Sequence, residues 1–353
     1  MSMQYPSLDS PTAGAIRFNT DSGTLEVYVD AEWQSILSTQ PGQGGVDTYL
    51  GGGRAIMCGG VTSPEGSPSS SVTNVISYHT IASTGDFADF GDLTTARTSI
   101  SSDNCASRTR GLSVCGNISG SQNNTIEYNT IATLGNSVDF GDTNRNYENS
   151  RTCANQTRGV LLGGYSGVVS IRDISQVTLS HLGNTSDFGN LQAINSGGMS
   201  ASNAIRGVLA GGSNPSRCNS IEYVNIQTGG LAFDFGDITH NPHNSGSAFS
   251  STIRMCYAGG WNPAGARINI VECIDFATTA NGQDFGDMSH DAASTQSTSN
   301  CVRGLVMGGS SAGGRARVDM FEIATKGDST DFGDLTQPQY TGCGFSNAHG
   351  GLG

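Results

Sequence analysis

Lysine is almost absent from this chain: Lys326 is the only one in 353 residues, and the rest of the 17 basic side chains are arginines. Charged residues make up only 13% of the sequence, and the formal net charge is −13. An acidic chain without basic clusters is a poor candidate for holding nucleic acid or an anionic membrane. There is no run of 18 apolar residues of the kind that spans a bilayer. Met1-Ser2-Met3-Gln4-Tyr5-Pro6 lacks the positive end and apolar stretch of a secretory signal, so a soluble protein made in the cytosol is expected. The nine cysteines form no CxxC pair, and a reducing compartment favours free thiols. Cys105 and Cys153 each stand five residues before an arginine, which suits small buried apolar side chains.

Glycine, by contrast, occurs 50 times, with Ser, Thr and Asn filling the gaps. Without a collagen-like period this composition implies many turns, and the turns belong to a repeat. Asp-Phe-Gly-Asp begins at Asp89, Asp139, Asp234, Asp284 and Asp331, with Asp187-Phe188-Gly189-Asn190 as a near copy, at steps of 47 to 50 residues. Upstream of each copy an arginine leads an apolar run into a small-residue stop. Arg54, Arg158, Arg206 and Arg303 head the clear copies, Arg110 and Arg254 the looser ones. Between these landmarks lie alternating segments such as Ile126-Glu127-Tyr128, Ile221-Glu222-Tyr223 and Val318-Asp319-Met320, the period of a half-buried strand. A polar stretch follows each tetrapeptide and supplies one more strand.

Each unit of about 48 residues thus provides four short strands, the strand count and length of a β-propeller blade. The first unit has no polar strand before Arg54, while Phe345-Ser346-Asn347-Ala348-His349-Gly350 mimics the run Ser202-Asn203-Ala204-Ile205-Arg206-Gly207. The expected fold is therefore all-β: a six-bladed β-propeller over 51–353, its C-terminal strand closing the first blade and covering open sheet edges. In that ring Phe90, Phe140, Phe188, Phe235, Phe285 and Phe332 read as apolar wedges between blades. The glycines after them read as positions of positive φ or close approach, and the aspartates as turn caps. Arg54, Arg110, Arg158, Arg206, Arg254 and Arg303 are expected to pair with a tetrapeptide aspartate at a blade junction.

Residues 1–37 form an expected N-terminal attachment module, followed by a linker over 38–50 whose Ser38-Thr39-Gln40-Pro41-Gly42 start is flexible by composition. Within the module, Ala15 to Asn19, Thr24 to Val29 and Glu32 to Ile36 read as a three-stranded meander, with Phe18, Tyr28 and Trp33 as its attachment residues. A unit this small needs a partner to bury its apolar side chains.

The run Pro11-Thr12-Ala13-Gly14-Ala15-Ile16-Arg17-Phe18-Asn19, with Leu25-Glu26-Val27-Tyr28 and Glu32-Trp33, resembles a segment of structural and tail-fibre proteins of tailed phages, notably those of cyanobacteria. The Gly-Gly-ended strands resemble kelch-type propellers without their recurrent tryptophan, and Ser346 to Leu352 is similar to the C-termini of phage repeat proteins. The resemblance implies a virion protein synthesised in the host cytoplasm and assembled as a homo-oligomer, a trimer being favoured. Its module would join other virion proteins, and its propeller would face a host glycan or surface receptor. Two other roles stay open: a head or neck decoration or fibre component that binds other virion proteins, and a glycan-cleaving tail protein.

No catalytic residue, cofactor or metal site is expected. His79, His181, His240, His243, His290 and His349 form no H-E-x-x-H pattern, and His240 with His243 lacks acidic or Cys ligands in its own loop. No Gly-x-x-x-x-Gly-Lys loop occurs, and no non-repeated acidic pair stands out for glycoside cleavage. Loops on a rigid scaffold are where binding sits, and those after the Gly-Gly strands vary most. Trp261 with Arg267, and Tyr165 in an equivalent loop, are the candidate binding residues, an indole and a guanidinium being suited to stacking on a sugar ring or protein surface.

Overall fold

The computed structural model describes residues 14–19, 24–29, 32–35, 53–63, 69–101, 103–214, 216–240, 244–311 and 315–352. The chain divides into two compact units, 1–45 and 46–353, so the division falls inside the expected linker, whose residues 38–50 lie outside the described ones. In the first unit, strands Ile16–Asn19, Thr24–Val29 and Glu32–Ser35 pair antiparallel in chain order. Arg17 ties this meander together: its guanidinium lies 4.3 Å over the Trp33 ring and pairs with the buried Glu26 at 2.7 Å. Tyr28 packs against Trp33, ring centroids 5.3 Å apart. Of Phe18 only the backbone is described, paired with Leu25.

The second unit is all-β, with several antiparallel sheets, none closed into a barrel, and no α-helix among the described residues. The third repeat shows the pattern. Arg151–Ala154, Arg158–Tyr165, Ser170–Thr178 and Ser186–Asn195 pair antiparallel in order. The fourth repeat uses Met199–Ser202, Arg206–Ala210, Ser220–Asn225 and Phe233–Asp237. The fifth uses Ser247–Ser250, Arg254–Trp261, Arg267–Asp275 and Gln283–Ala292. The sixth uses Gln296–Ser299, Arg303–Met307, Arg315–Glu322 and Thr330–Tyr340.

The first repeat contributes Arg54–Thr62, Ser71–Thr80 and Ala88–Asp92, and the strand beside Arg54–Thr62 comes from the other end of the chain. That strand is Cys343–Ser346, in register with Ser346 opposite Ala55 and Cys343 opposite Cys58. Asn347 Oδ1 accepts from the Arg54 N–H at 2.9 Å and extends the pairing by one residue.

The second repeat departs from the expected four strands. Arg110–Ile118, Ser121–Thr130 and Val138–Tyr147 form its sheet, and in the place of a polar strand there are only the isolated bridges Thr98 to Asn117, Ser101 to Val114 and Ala106 to Gly111. The cause is local. Asp103 and Asn104 take φ of +85° and +54°, which breaks the ladder and sends both side chains into buried contacts with distant strands. Asn104 Oδ1 accepts from Thr298 Oγ1 at 3.0 Å, and its Nδ2 donates to the Ala248 carbonyl at 3.3 Å.

The Asp-Phe-Gly-Asp segments lie inside strands, so their aspartates do not cap turns as expected. The N–H of the last aspartate donates instead to a side chain of the next repeat: Asp92 to Asn136, Asp142 to Asn184, Asp237 to Asn281 and Asp287 to Asp328. Asp334 of the sixth repeat donates to Asp86 of the first. At the third repeat the corresponding position ahead is Leu231, which offers no acceptor, and Gly189 and Asn190 pair in parallel with Gly230 and Leu231. Gly189 has φ of +153°, and a Cβ there would sit 1.7 Å from the Gly230 carbonyl oxygen.

Six apolar clusters fill the junctions, each shared by two successive repeats. Phe90 lies with Ile131, Phe140 with Leu179, Phe188 with Ile226, Phe235 with Phe276, Phe285 with Ile323 and, across the chain ends, Phe332 with Ile81. The polar strands are buried at every residue of Arg151–Ala154, Met199–Ser202, Ser247–Ser250, Gln296–Ser299 and Cys343–Ser346. Their hydroxyls make that burial tolerable by donating to carbonyls of the preceding repeat. Ser202 donates to Ala154, Ser250 to Ser202, Ser299 to Ser250 and Ser346 to Ser299, at 2.6 to 3.0 Å.

Candidate binding loops and buried polar groups

The recurrent arginines do not pair with tetrapeptide aspartates. Each guanidinium reaches forward to a main-chain carbonyl just after the third strand of the next repeat. Arg54 donates to Ile131, Arg110 to Leu179 and Ser180, Arg158 to Ile226 and Gln227, Arg206 to Phe276 and Arg254 to Ile323. Arg303, in the sixth repeat, donates to Ile81 and Ala82 of the first. Aromatic faces support several of them: Arg54 over Tyr78, Arg110 over Tyr128, Arg158 over Phe188 and Arg206 over Tyr223, at 4.7 to 5.6 Å. Carbonyl partners win because those strand ends leave acceptors otherwise unsatisfied, and a charged donor makes the stronger bond. The acids that do meet these arginines, Asp275 and Glu322, belong to the third strand of the same repeat.

Tyr165 and Trp261 end the second strands of the third and fifth repeats at equivalent positions, bridging to Glu148 and Asn244 respectively. The register puts Trp261 opposite Arg267, whose guanidinium lies 4.5 Å over the indole. Asn262 Oδ1 accepts from the Ala266 N–H at 2.9 Å and holds the connecting turn. Beside it, Arg217 donates to Asn244 Oδ1 at 3.0 Å, and Asn244 Nδ2 donates to Ser213 at 2.8 Å. Trp261 and Arg267 are thus brought together, whereas Tyr165 sits two repeats away, bonded to the Gly167 carbonyl at 3.2 Å.

The third strands hold groups that alternation misplaces. Glu127, Glu222, Glu272 and Asp319 occupy the expected solvent-facing positions yet are buried, because both faces of each sheet are covered by neighbouring repeats. Glu272 is the most fully bonded: Thr239 N and Oγ1, His240 Nδ1 at 2.7 Å and the Tyr257 hydroxyl at 2.8 Å all converge on it. Burial pushes its carboxyl up, but these bonds together outweigh burial and hold it below the usual range. Glu222, with a backbone donor from Gln192, is left raised by burial. His240 therefore faces a carboxylate that its own loop does not supply. His290 stands in the same relation to Asp319 at 3.6 Å. His243 lies outside the described residues, and no group of three His, Cys, Asp or Glu among the described residues could hold a metal ion.

Two further titratable groups lie among the polar strands. Asp103 is fully buried, 3.7 Å from Arg151, and burial raises its carboxyl to about 7 despite that arginine and the Ser297 hydroxyl. His349 is also fully buried. Its Nε2 donates to the Ala106 carbonyl at 2.9 Å, its Nδ1 accepts from Gly351 N, and burial lowers it to about 4. The residues around it span the repeats: a Cβ on Gly350 would meet Ser251 and one on Gly351 would meet Ala154, while the Leu352 carbonyl accepts from Arg108 and Gln156.

A cavity of about 370 Å³ lies at the opposite ends of these strands from Trp261, lined by Asn155, Gln156, Thr157, Arg158, Ala204, Ile226 and Gln227. Sequence reasoning missed it, since its walls are ordinary turn residues. Its main polar groups are already engaged: Asn155 Oδ1 with Thr157 and Arg158 backbone N–H groups, Gln156 with Leu352, and Arg158 with Ile226 and Gln227. No protein-family model matches the chain, and no curated protein matches it.

Proposed function

We propose that the six repeats are blades of a closed six-bladed β-propeller, and that this propeller is a non-enzymatic recognition scaffold on a tailed-phage virion appendage, taking a host-surface glycan at the loop that carries Trp261. The observation that supports a closed ring is the arginine series, in which the sixth member, Arg303, returns to Ile81 and Ala82 of the first repeat. The binding reading is supported by the Trp261 and Arg267 stack. An indole offers a sugar its apolar ring face, and a braced guanidinium offers donors to hydroxyls. In this reading the meander with Tyr28 and Trp33 joins the chain to other virion proteins, and assembly is homo-oligomeric.

The experiment is binding of the full chain to an array of bacterial surface glycans, with Trp261→Ala alongside. Selective binding that drops at least tenfold in the variant supports the reading. Selective binding untouched by the variant removes the site, and failure to bind any glycan removes the ligand class.

A further inference from the structure

Two pairs of cysteines stand directly opposite one another across antiparallel strands: Cys58 with Cys343, and Cys256 with Cys273. All four are buried, and the strand register sets the two cysteines of each pair side by side. Opposed residues of an antiparallel ladder hold their Cα atoms roughly 4.5–5.5 Å apart, inside the roughly 4.4–6.8 Å that a disulfide spans. The pairs differ in what they connect. Cys256 and Cys273 sit 17 positions apart in one sheet of the fifth repeat, whereas Cys58 and Cys343 are 285 positions apart, on the first strand and the last of the second unit.

We propose that Cys58 and Cys343 are a redox clasp, which a small-molecule disulfide oxidises to a covalent link between the C-terminal strand and the strand that begins at Arg54. The inference goes beyond the binding reading and stands on the pairing of these two strands alone. The site distinguishes the two sulfurs. Ser113 Oγ lies 3.3 Å from the Cys343 sulfur and can donate to a thiolate there, whereas burial, the largest influence on Cys58, pushes that thiol up.

Cys343 therefore attacks first. Its thiolate bonds to one sulfur of the oxidant and expels the other as a thiolate. The Cys58 thiolate then attacks the Cys343 sulfur, forms the Cys58–Cys343 bond and expels the second thiolate. The protein loses two electrons, the oxidant gains them, and the two thiol protons end on the two released small-molecule thiols. Both protein sulfurs are covered in the closed structure. Exchange therefore passes through a state in which Cys343–Ser346 has lifted, and its rate reports that local opening. Once made, the link removes far more freedom from the unfolded chain than a bond between Cys256 and Cys273 would, because the loop it closes is much longer.

The test uses the full chain, reduced and then incubated with oxidised glutathione, alkylated after denaturation and mapped by peptide mass spectrometry. The expected result is a linked peptide joining Cys58 and Cys343, together with a higher melting temperature in the oxidised protein. Cys343→Ser should lose both, and Cys273→Ser should keep both. Recovery of Cys58 and Cys343 without a mutual link, or a melting shift that survives Cys343→Ser, overturns the proposal. Should Cys343→Ser fail to fold, mapping of the unaltered chain decides alone.

Discussion

Arg303 Nη1 donates to the carbonyl oxygen of Ala82 at 2.7 Å, joining the last repeat to the first by the contact that Arg158 makes to Gln227. Removing such a charge-assisted bond leaves a strand-end carbonyl unsatisfied and costs roughly 1.5–3 kcal/mol. Arg303→Met and Arg158→Met are therefore expected to lower unfolding stability by similar amounts of that size. Asp89→Asn, at an exposed tetrapeptide aspartate, should stay within about 0.5 kcal/mol. Denaturant midpoints of the three variants check this. A costly Asp89→Asn beside harmless arginine variants would restore the aspartate pairing.

The contact of Gly189 with Gly230 makes a second prediction. Gly120 has φ of +88° with nothing within 4 Å of an added Cβ, whereas at Gly189 the Cβ would strike the Gly230 carbonyl oxygen. Gly120→Ala carries backbone strain alone, about 1–2 kcal/mol, and should fold. Gly189→Ala adds a collision with backbone that cannot rotate away, so it should lose several kcal/mol or fail to accumulate as folded protein. Circular dichroism melting of the pair separates strain from collision.

Glu272 gives a third. Replacing it with Leu removes the acceptor on which the Tyr257 hydroxyl and the Thr239 donors converge, for an expected loss of about 1–3 kcal/mol. Glu272→Gln keeps one acceptor and should lose less. If calorimetry finds the Leu variant as stable as the parent, the carboxylate is not organising that junction.

These residues also show what the sequence made legible. The tetrapeptide phenylalanines and glycines repeat at one spacing because each junction needs the same wedge and the same close approach, so their periodicity exposes them. The arginines are equally periodic, but their partners are carbonyls, which any residue supplies and no side-chain pattern marks. Glu127, Glu222, Glu272 and Asp319 look like the outward positions of half-buried strands; only covering both sheet faces turns them inward. Asp103 and Asn104 are hidden for the opposite reason, because they break the repeat. Cys58 and Cys343 face each other only through the alignment of Arg54 with Asn347, each cysteine lying four residues from its end of that pair. Of the candidate loop, residue types suggested Trp261 and Arg267, while the register that stacks them is a product of the hairpin.

The last prediction concerns Asp103 and His349, whose titrations oppose each other. Asp103 is raised from 3.8 to about 7, so the folded state binds its proton more tightly than the unfolded chain. Its stabilisation is fully present below pH 3.8 and is lost as pH rises through 7, about 4 kcal/mol at about 1.36 kcal/mol per pH unit. His349 is lowered from 6.5 to about 4, so its stabilisation is present above pH 6.5 and is lost as pH falls through 4, about 3 kcal/mol by the same conversion. Between pH 4 and 6.5 the two slopes nearly cancel. Asp103→Asn removes one of them, and the variant should lose stability relative to the parent as pH falls across that window. His349→Gln keeps a donor for the Ala106 carbonyl and removes the other slope, so this variant should gain relative to the parent as pH falls. Unfolding free energies of the three proteins at pH 4, 5.5 and 7 measure both differences, and parallel curves for all three would mean that neither buried group titrates as its surroundings dictate.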